Sequence, residues 1–236
     1  MHLTPRQRVS WLAHLFKAVT QQHHGHLREL FAPHVPPEAV VIDIGAHAGQ
    51  FSKLFARMAT RGHVYAFEPS AYARSIMEPA LGLNGIKNVT LNPVGLSDVA
   101  ATLALHTPIK RSRALGFGVA HLGEAGEART TLDQMVDLTT LDAFTQSRGL
   151  TRIDLIKADI EGWEMRALKG AERTLRRFQP TLYIEIDGAY LARAGDSPDA
   201  LFDWLGSLGY RGYSTPDLRP APDWAGVGDY LFTAEP

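Results

Sequence analysis

Apolar residues along this chain fall into two rhythms. Short runs rich in Val, Ile, Leu and Phe occupy residues 40–44, 63–67, 89–93, 153–158 and 181–186, and turn-forming Gly, Pro, Asn or Asp flanks most of them. Such runs predict buried strands. Between them, apolar positions recur every three or four residues over 50–59, 71–83, 140–148, 164–178 and 198–208, which predicts helices. Alternating strands and helices imply parallel strands covered on both faces, a doubly wound α/β fold. Two further strands, 210–213 and 229–233, have no long helix between them and predict an antiparallel C-terminal hairpin on one edge of a mostly parallel seven-stranded sheet.

Ahead of this pattern, Thr4-Pro5 opens a helix in which Val9, Leu12, Leu15, Phe16 and Val19 recur at helical spacing. Residues 1–36 thus read as an N-terminal helical preface, packed beside the core or over a site, and residues 37–236 as the main domain. The same apolar face suits a homodimer contact equally well. His23, His24 and His26 lack an acidic or histidine partner at helical spacing, so a solvated helix junction is favoured over a metal site. One region breaks the alternation: strand-like ATLALH and TTLDQMV flank PIKRSRALGFGVAHLGEAGEAR, a loop insertion over about 107–130. A loop of that length in a compact domain is usually functional.

Composition narrows the class. At 236 residues with 45% hydrophobic and 21% charged residues, the chain is long enough for one domain with a sizeable core. A formal net charge of -1 argues against nucleic acid as a partner held by general phosphate attraction. The absence of cysteine excludes disulfides, zinc–thiolate sites and thiol nucleophiles. No run approaches the roughly 18–20 apolar residues of a membrane span, so a cytoplasmic protein without a membrane partner is expected.

The chemistry begins in VVIDIGAHAGQFSKLF, a strand entering a glycine turn and then a helix. A dinucleotide fingerprint starting at Gly45 requires glycine where His47 and Gln50 stand, and no Gly-Lys-Ser/Thr of a phosphate loop follows. What remains, Asp43-x-Gly45-x-His47-x-Gly49, is the loop shape expected for S-adenosylmethionine, whose ammonium requires an acidic partner and whose carboxylate can approach backbone N–H groups. Asp43 is placed at the amine, directly or through water, and Phe51 in the first helical turn beside it. The second strand ends in Glu68-Pro69, a carboxylate positioned to accept both ribose hydroxyls before Pro69 stops the strand. Taken singly, Gly45 and Gly49 read as turn glycines and Glu68 as a helix-start acid; their joint spacing favours the methyl donor.

At this point the chain resembles the FkbM-type S-adenosylmethionine-dependent methyltransferases. The likeness runs over about residues 40–186 and rests on VIDIGAHAGQFS, YAFEP, NPVGLSD, TTLDAF, IDLIKADIEGWEMRALKGA and PTLYIEI. It implies a class I methyltransferase fold and O-methylation of a small-molecule, sugar or glycan hydroxyl. His47 stands where the family pattern often has asparagine.

In a doubly wound sheet, ligands lie outside the carboxyl ends of the strands, which brings several acids to one rim. Leu96 and Ser97 follow the third strand, either against the adenine or as an ordinary turn with Asp98. Asp159 ends the fourth strand beside the transferable methyl, after Lys157, which needs a partner if buried. Glu161 is assigned to the acceptor or to the following helix start, where Glu164 also falls. Two readings of the proton step compete. Asp159, Glu185 and Asp187 hold Mg²⁺ that acidifies the acceptor hydroxyl, or a base acts alone, drawn from Asp159, Glu185, Asp187, His47, His106 and His121. Lys110, Arg111 and Arg113 form either a lid for an anionic or sugar acceptor or a solvated loop. Trp163 and Trp224 either stack on a sugar or fill core. The competing functions are a non-catalytic cofactor- or partner-binding module, and a methyltransferase for protein or nucleic acid.

Overall fold

A computed structural model describes residues 5–108, 121–122 and 131–234. The N-terminal segment holds α1 (Pro5–Thr20), a 3₁₀ turn (Gly25–Leu27) and the short α2 (Arg28–Phe31). Then come β1 (Val40–Ile44), α3 (Gln50–Met58), β2 (His63–Phe67), α4 (Ala71–Leu83) and β3 (Val89–Asn92). A second group follows: β4 (Gly95–Leu96), β5 (Ala101–Pro108), β6 (His121–Leu122) and β7 (Thr131–Thr139). The chain returns to the main sheet through α5 (Leu141–Arg148), β8 (Leu155–Ala158), α6 (Glu164–Lys169), α7 (Glu172–Phe178) and β9 (Thr181–Ile186). It closes with α8 (Gly188–Arg193), α9 (Pro198–Ser207), β10 (Tyr210–Ser214), β11 (Arg219–Pro220) and β12 (Gly228–Ala234).

The main sheet has the order β11-β10-β12-β9-β8-β1-β2-β3, parallel from β9 to β3. Period-two alternation explains why its strands are apolar throughout: Val41, Leu155 and Tyr183 pack on one face with Phe51 and Phe55, while Ile42, Ile156 and Ile184 pack on the other with Leu168 and Leu205. The expected hairpin forms, but β12 enters between β9 and β10, antiparallel to both, so β10 and the two-residue β11 take the edge. β1 lies between β2 and β8, so the chain leaves it in both directions and opens a crevice at its carboxyl end.

Three features depart from the expectations. The helix predicted over 164–178 is broken at Gly170, where a Cβ would lie 1.9 Å from the Ser97 carbonyl oxygen; close approach of that turn breaks the helical run. The strands on either side of the insertion join a separate sheet, β4-β7-β5-β6, in which β5 and β7 pair antiparallel from Ala101–Leu138 to Pro108–Thr131. In α1, the inward stripe is Trp11, Leu15, Ala18 and Val19 against Tyr72, Ile76 and Ala80. Val9, Leu12 and Phe16 instead point outward at 69%, 58% and 68% exposure, because the Trp11 Nε1 hydrogen bond to Ser75 Oγ fixes which face of the helix meets α4.

Candidate functional site

The turn after β1 is shaped by backbone geometry that few side chains tolerate. Gly45 has φ +74°, and a Cβ there would sit 2.1 Å from the Asp159 carbonyl oxygen. Any other residue would push β1 and β8 apart. His47 also holds a left-handed φ of 50°, and Gly49, φ 80°, starts α3. The turn is tied to the end of β2: Gly45 N and Ala46 N donate to Phe67 O, and His47 N donates to Glu68 Oε2 at 2.8 Å. Ser70 N donates to Glu68 Oε1 at 2.8 Å. Burial pushes the Glu68 carboxyl up, while the Ser70 and His47 N–H groups pull against that shift. Burial takes His47 down to about 4 despite the nearby Asp159 carboxylate, so its ring is neutral at pH 7.

Beneath the turn lies a buried charge network. Lys157 Nζ stands 3.5 Å from both Asp43 Oδ1 and Asp159 Oδ2 and donates to Ile44 O at 3.1 Å and Gly45 O at 2.8 Å. Burial alone would lower the ammonium's pKa, but the Asp159 and Asp43 carboxylates outweigh it and the group stays charged. This is the partner that a lysine in an apolar strand requires. Asp43 is 0% exposed, with Oδ2 accepting from Ser52 Oγ. Asp43, expected at a ligand amine directly or through water, does not line the cavity and stands beside Lys157.

Asp159 also shares a hydrogen bond with Glu185. The two acids titrate apart: Asp159 is held low by Lys157 against the effect of burial, and Glu185 is pushed up to about 8 by burial and by Asp159. An acid whose pKa is higher folded than unfolded stabilises the fold when protonated, and that contribution disappears as pH rises through about 8. The melting temperature of the wild type should therefore fall more between about pH 6 and pH 9 than that of Glu185→Gln. Equal falls would show that Glu185 does not carry this proton.

The turn after β8 is equally constrained. Glu161 has φ 58°, and Gly162, φ +103°, would place a Cβ 2.2 Å from Tyr190 O. Glu164 accepts from Ile160 N at 2.8 Å and Gly162 N at 3.3 Å, drawing the turn back on its own helix. Glu161 is left facing the crevice, with a buried Oε2 that has no hydrogen-bond partner among the described residues. Burial, then the Asp159 and Glu164 carboxylates, push it up to about 7. Asp187 is spent elsewhere, capping α8 through Ala189 N and Tyr190 N. Among the described residues no three His, Asp or Glu side chains converge as a metal-ligand set, so the expected Asp159, Glu185 and Asp187 cation site is not assembled.

These turns wall a cavity of about 560 Å³, within the range of small-molecule sites. Gly45, His47, Phe51, Glu68, Pro69, Leu96, Asp159 and Glu161 line it, as do Leu105 and Leu122 from the second sheet. Several expected contacts lie outside it. Trp163 is buried and donates from Nε1 to Ser97 Oγ, which donates on to Asp98 Oδ1, so Trp163 and Ser97 brace the β4 turn rather than face the cavity. Glu185 stands behind Asp159, and Gly49 packs toward Met77. Lys110, Arg111 and Arg113 lie outside the described residues. His121 lies in β6 opposite His106, its side chain outside the description; His106 itself pairs with Asp133 at 2.8 Å.

The remaining wall comes from the N-terminal segment, through His14, Lys17, Ala18, His23 and His24. His24 stacks on Phe51 with ring centroids 4.0 Å apart and planes 12° off parallel. Sequence reasoning assigned none of these to the site. Their signal was the polar face of α1, and the histidines of the junction were judged only as metal ligands.

Comparison with known proteins adds relatives to this geometry. The AMB antimetabolite synthetase AmbE of Pseudomonas aeruginosa is 31% identical over 209 residues, which is 75% of this chain and 10% of that protein. The methyltransferase sdnD of Sordaria araneosa is 26% identical, over 61% of this chain and 67% of its own length. The 2-O-methyltransferase NoeI of Sinorhizobium fredii is 25% identical over 60% of each chain. Among solved structures, a methyltransferase FkbM from Methylobacillus flagellatus KT superposes with a TM-score of 0.50 at 17% identity, covering 97% of this chain and 59% of that one. An rRNA methylase from Streptococcus thermophilus gives 0.50 at 14%, covering 92% and 99%. Those two likenesses speak to the fold. The family profile "Methyltransferase FkbM domain" matches residues 43–211, and with that match the chain belongs to the FkbM methyltransferase family.

Proposed function

We propose that this chain is an S-adenosylmethionine-dependent O-methyltransferase whose acceptor is a hydroxyl of a small molecule, sugar or glycan. The observation that carries the reading is Glu68. Its carboxylate locks the glycine turn through His47 N yet still lines the cavity, and each oxygen keeps a lone pair for a ribose hydroxyl. The surroundings fit the rest of such a ligand: Pro69 and Leu96 are apolar walls for the base, and Asp159 supplies a carboxylate for an ammonium. The 2-O-methyltransferase activity named for NoeI supports oxygen as the acceptor atom.

When bound, S-adenosylmethionine supplies an electrophilic methyl on a sulfonium centre. The chain's own part is alignment of the acceptor oxygen and removal of its proton. Glu161 is suited to removing that proton, because it lines the cavity and a carboxyl titrating at about 7 is matched to taking a proton near neutral pH. Asp159, kept ionised by Lys157, binds rather than titrates.

Calorimetric titration with S-adenosylmethionine and separately with NAD tests the cofactor; binding of NAD alone, or of neither, overturns the reading. Incubation of S-adenosylmethionine with a panel of sugars and glycosides, followed by release of S-adenosylhomocysteine, tests the acceptor. Glu161→Gln should keep its affinity for S-adenosylhomocysteine while release falls by about 10²–10³-fold. Cofactor binding without release on any hydroxyl acceptor would favour a non-catalytic module.

A further inference from the structure

The family match begins at residue 43, yet part of the cavity wall comes from residues 14–24. That wall is bolted in place. Lys53 Nζ donates to Ala18 O and, at 2.9 Å, to Gln21 O, satisfying carbonyls at the end of α1 that would otherwise lack donors. Gln22 Nε2 donates to Gln50 O at 2.8 Å, Asn84 Nδ2 donates to Val19 O at 3.2 Å, and His14 Nδ1 meets Tyr72 OH at 3.0 Å.

Charge is sorted across the cavity. The wall formed by the strand ends is acidic, through Glu68, Asp159 and Glu161, and its lysine, Lys157, is already balanced between two carboxylates. The part of the lining contributed by the N-terminal segment carries His14, Lys17, His23 and His24. His24 is held down to about 4 by burial and then by Lys157, so it is neutral at pH 7. Lys17 is exposed at the rim and has no acidic partner among the described residues. His24 of this segment lies near Asp159, since that carboxylate acts on its ring. The apolar end, Leu96, Leu105 and Leu122, carries no comparable charge.

An amino acid bears its ammonium and carboxylate on one carbon. With the ammonium drawn to Asp159, the carboxylate turns away from the acids and toward the N-terminal wall. Resting on the S-adenosylmethionine reading above, we infer that Lys17 binds the carboxylate of the cofactor's amino-acid end, which makes α1 part of the cofactor site. The pair is a charge-assisted contact at a half-open rim, so it adds affinity and is weakened by salt.

The test compares two ligands that share the adenosine thioether and differ in the amino-acid end: S-adenosylhomocysteine and 5′-methylthioadenosine. By calorimetry at low salt, Lys17→Ala should bind S-adenosylhomocysteine about tenfold more weakly, and 5′-methylthioadenosine within about twofold of wild type. Lys17→Arg should recover most of the loss, and added salt should narrow the gap between wild type and Lys17→Ala. Unchanged melting temperatures keep the comparison free of folding effects. Unchanged S-adenosylhomocysteine affinity in Lys17→Ala, or an equal loss for both ligands, overturns the inference while leaving the cofactor reading intact. A wild type that binds neither ligand overturns both.

Discussion

Glu68→Ala is expected to weaken S-adenosylhomocysteine binding by about two to three orders of magnitude, the largest loss of any single change at the cavity. Two effects add. Hydrogen bonds to a charged group contribute about 1.5–3 kcal/mol each, so, on the ribose role proposed for Glu68, losing its two contacts costs roughly 3 kcal/mol or more. The same change strips the partners from His47 N and Ser70 N, freeing the turn between β1 and α3 to leave its bound shape. Glu68→Gln separates the two effects: its amide oxygen still accepts one backbone N–H, while its NH₂ faces the other as a second donor. Calorimetry should rank affinity as wild type above Glu68→Gln above Glu68→Ala, with 5′-methylthioadenosine following the same order because it keeps the ribose. Full affinity in a folded Glu68→Ala protein would remove the ribose role, and with it the main support for the methyl-donor reading.

That carboxylate was legible because strand end, acid and proline fall together in the sequence, and much of the fold was legible for the same kind of reason. β1, β2 and β9 are continuous apolar or β-branched runs bounded by turn residues, and they form where that pattern places them. What local pattern did not carry is set by distant contacts. The helix break at Gly170 exists because the Ser97 turn, over seventy residues earlier, touches it. Asp187 at a strand end resembles a ligand acid until α8 begins beside it and takes its oxygen as a cap. Trp163 sits next to the Asp159 turn in sequence, yet its indole N–H turns to Ser97. α1 carries two apolar stripes, and spacing alone does not say which meets α4 or that its polar face closes the cavity. Lys157 shows the division most plainly: an ammonium inside an apolar strand announces that a partner must exist, but only the parallel register of β1 and β8 sets Asp43 beside it.

Lys157→Met is accordingly the change expected to cost the most stability. The substitution keeps much of the side chain's volume and deletes its charge, leaving Asp43, 0% exposed, and Asp159 facing each other, and leaving Ile44 O and Gly45 O without their donor. Breaking a buried ion pair from one side typically costs about 3–5 kcal/mol, since the uncompensated charge stays in a low dielectric. In a chain of this size that corresponds to a melting temperature lower by roughly 10 °C. The deficit should be largest near neutral pH and shrink toward about pH 4, because protonating the stranded carboxylates relieves their repulsion. Asp43→Asn in the Lys157→Met background should restore part of the loss, since an amide can still accept from Ser52 Oγ without carrying charge. Loss of the Gly45 O contact also loosens the turn that shapes the cavity, so S-adenosylhomocysteine affinity should fall along with stability and recover less than stability does in the double variant. A Lys157→Met protein that melts within about 2 °C of wild type would mean that water or rearranged donors already serve those carboxylates, and that the buried lysine does not hold the two strand ends together.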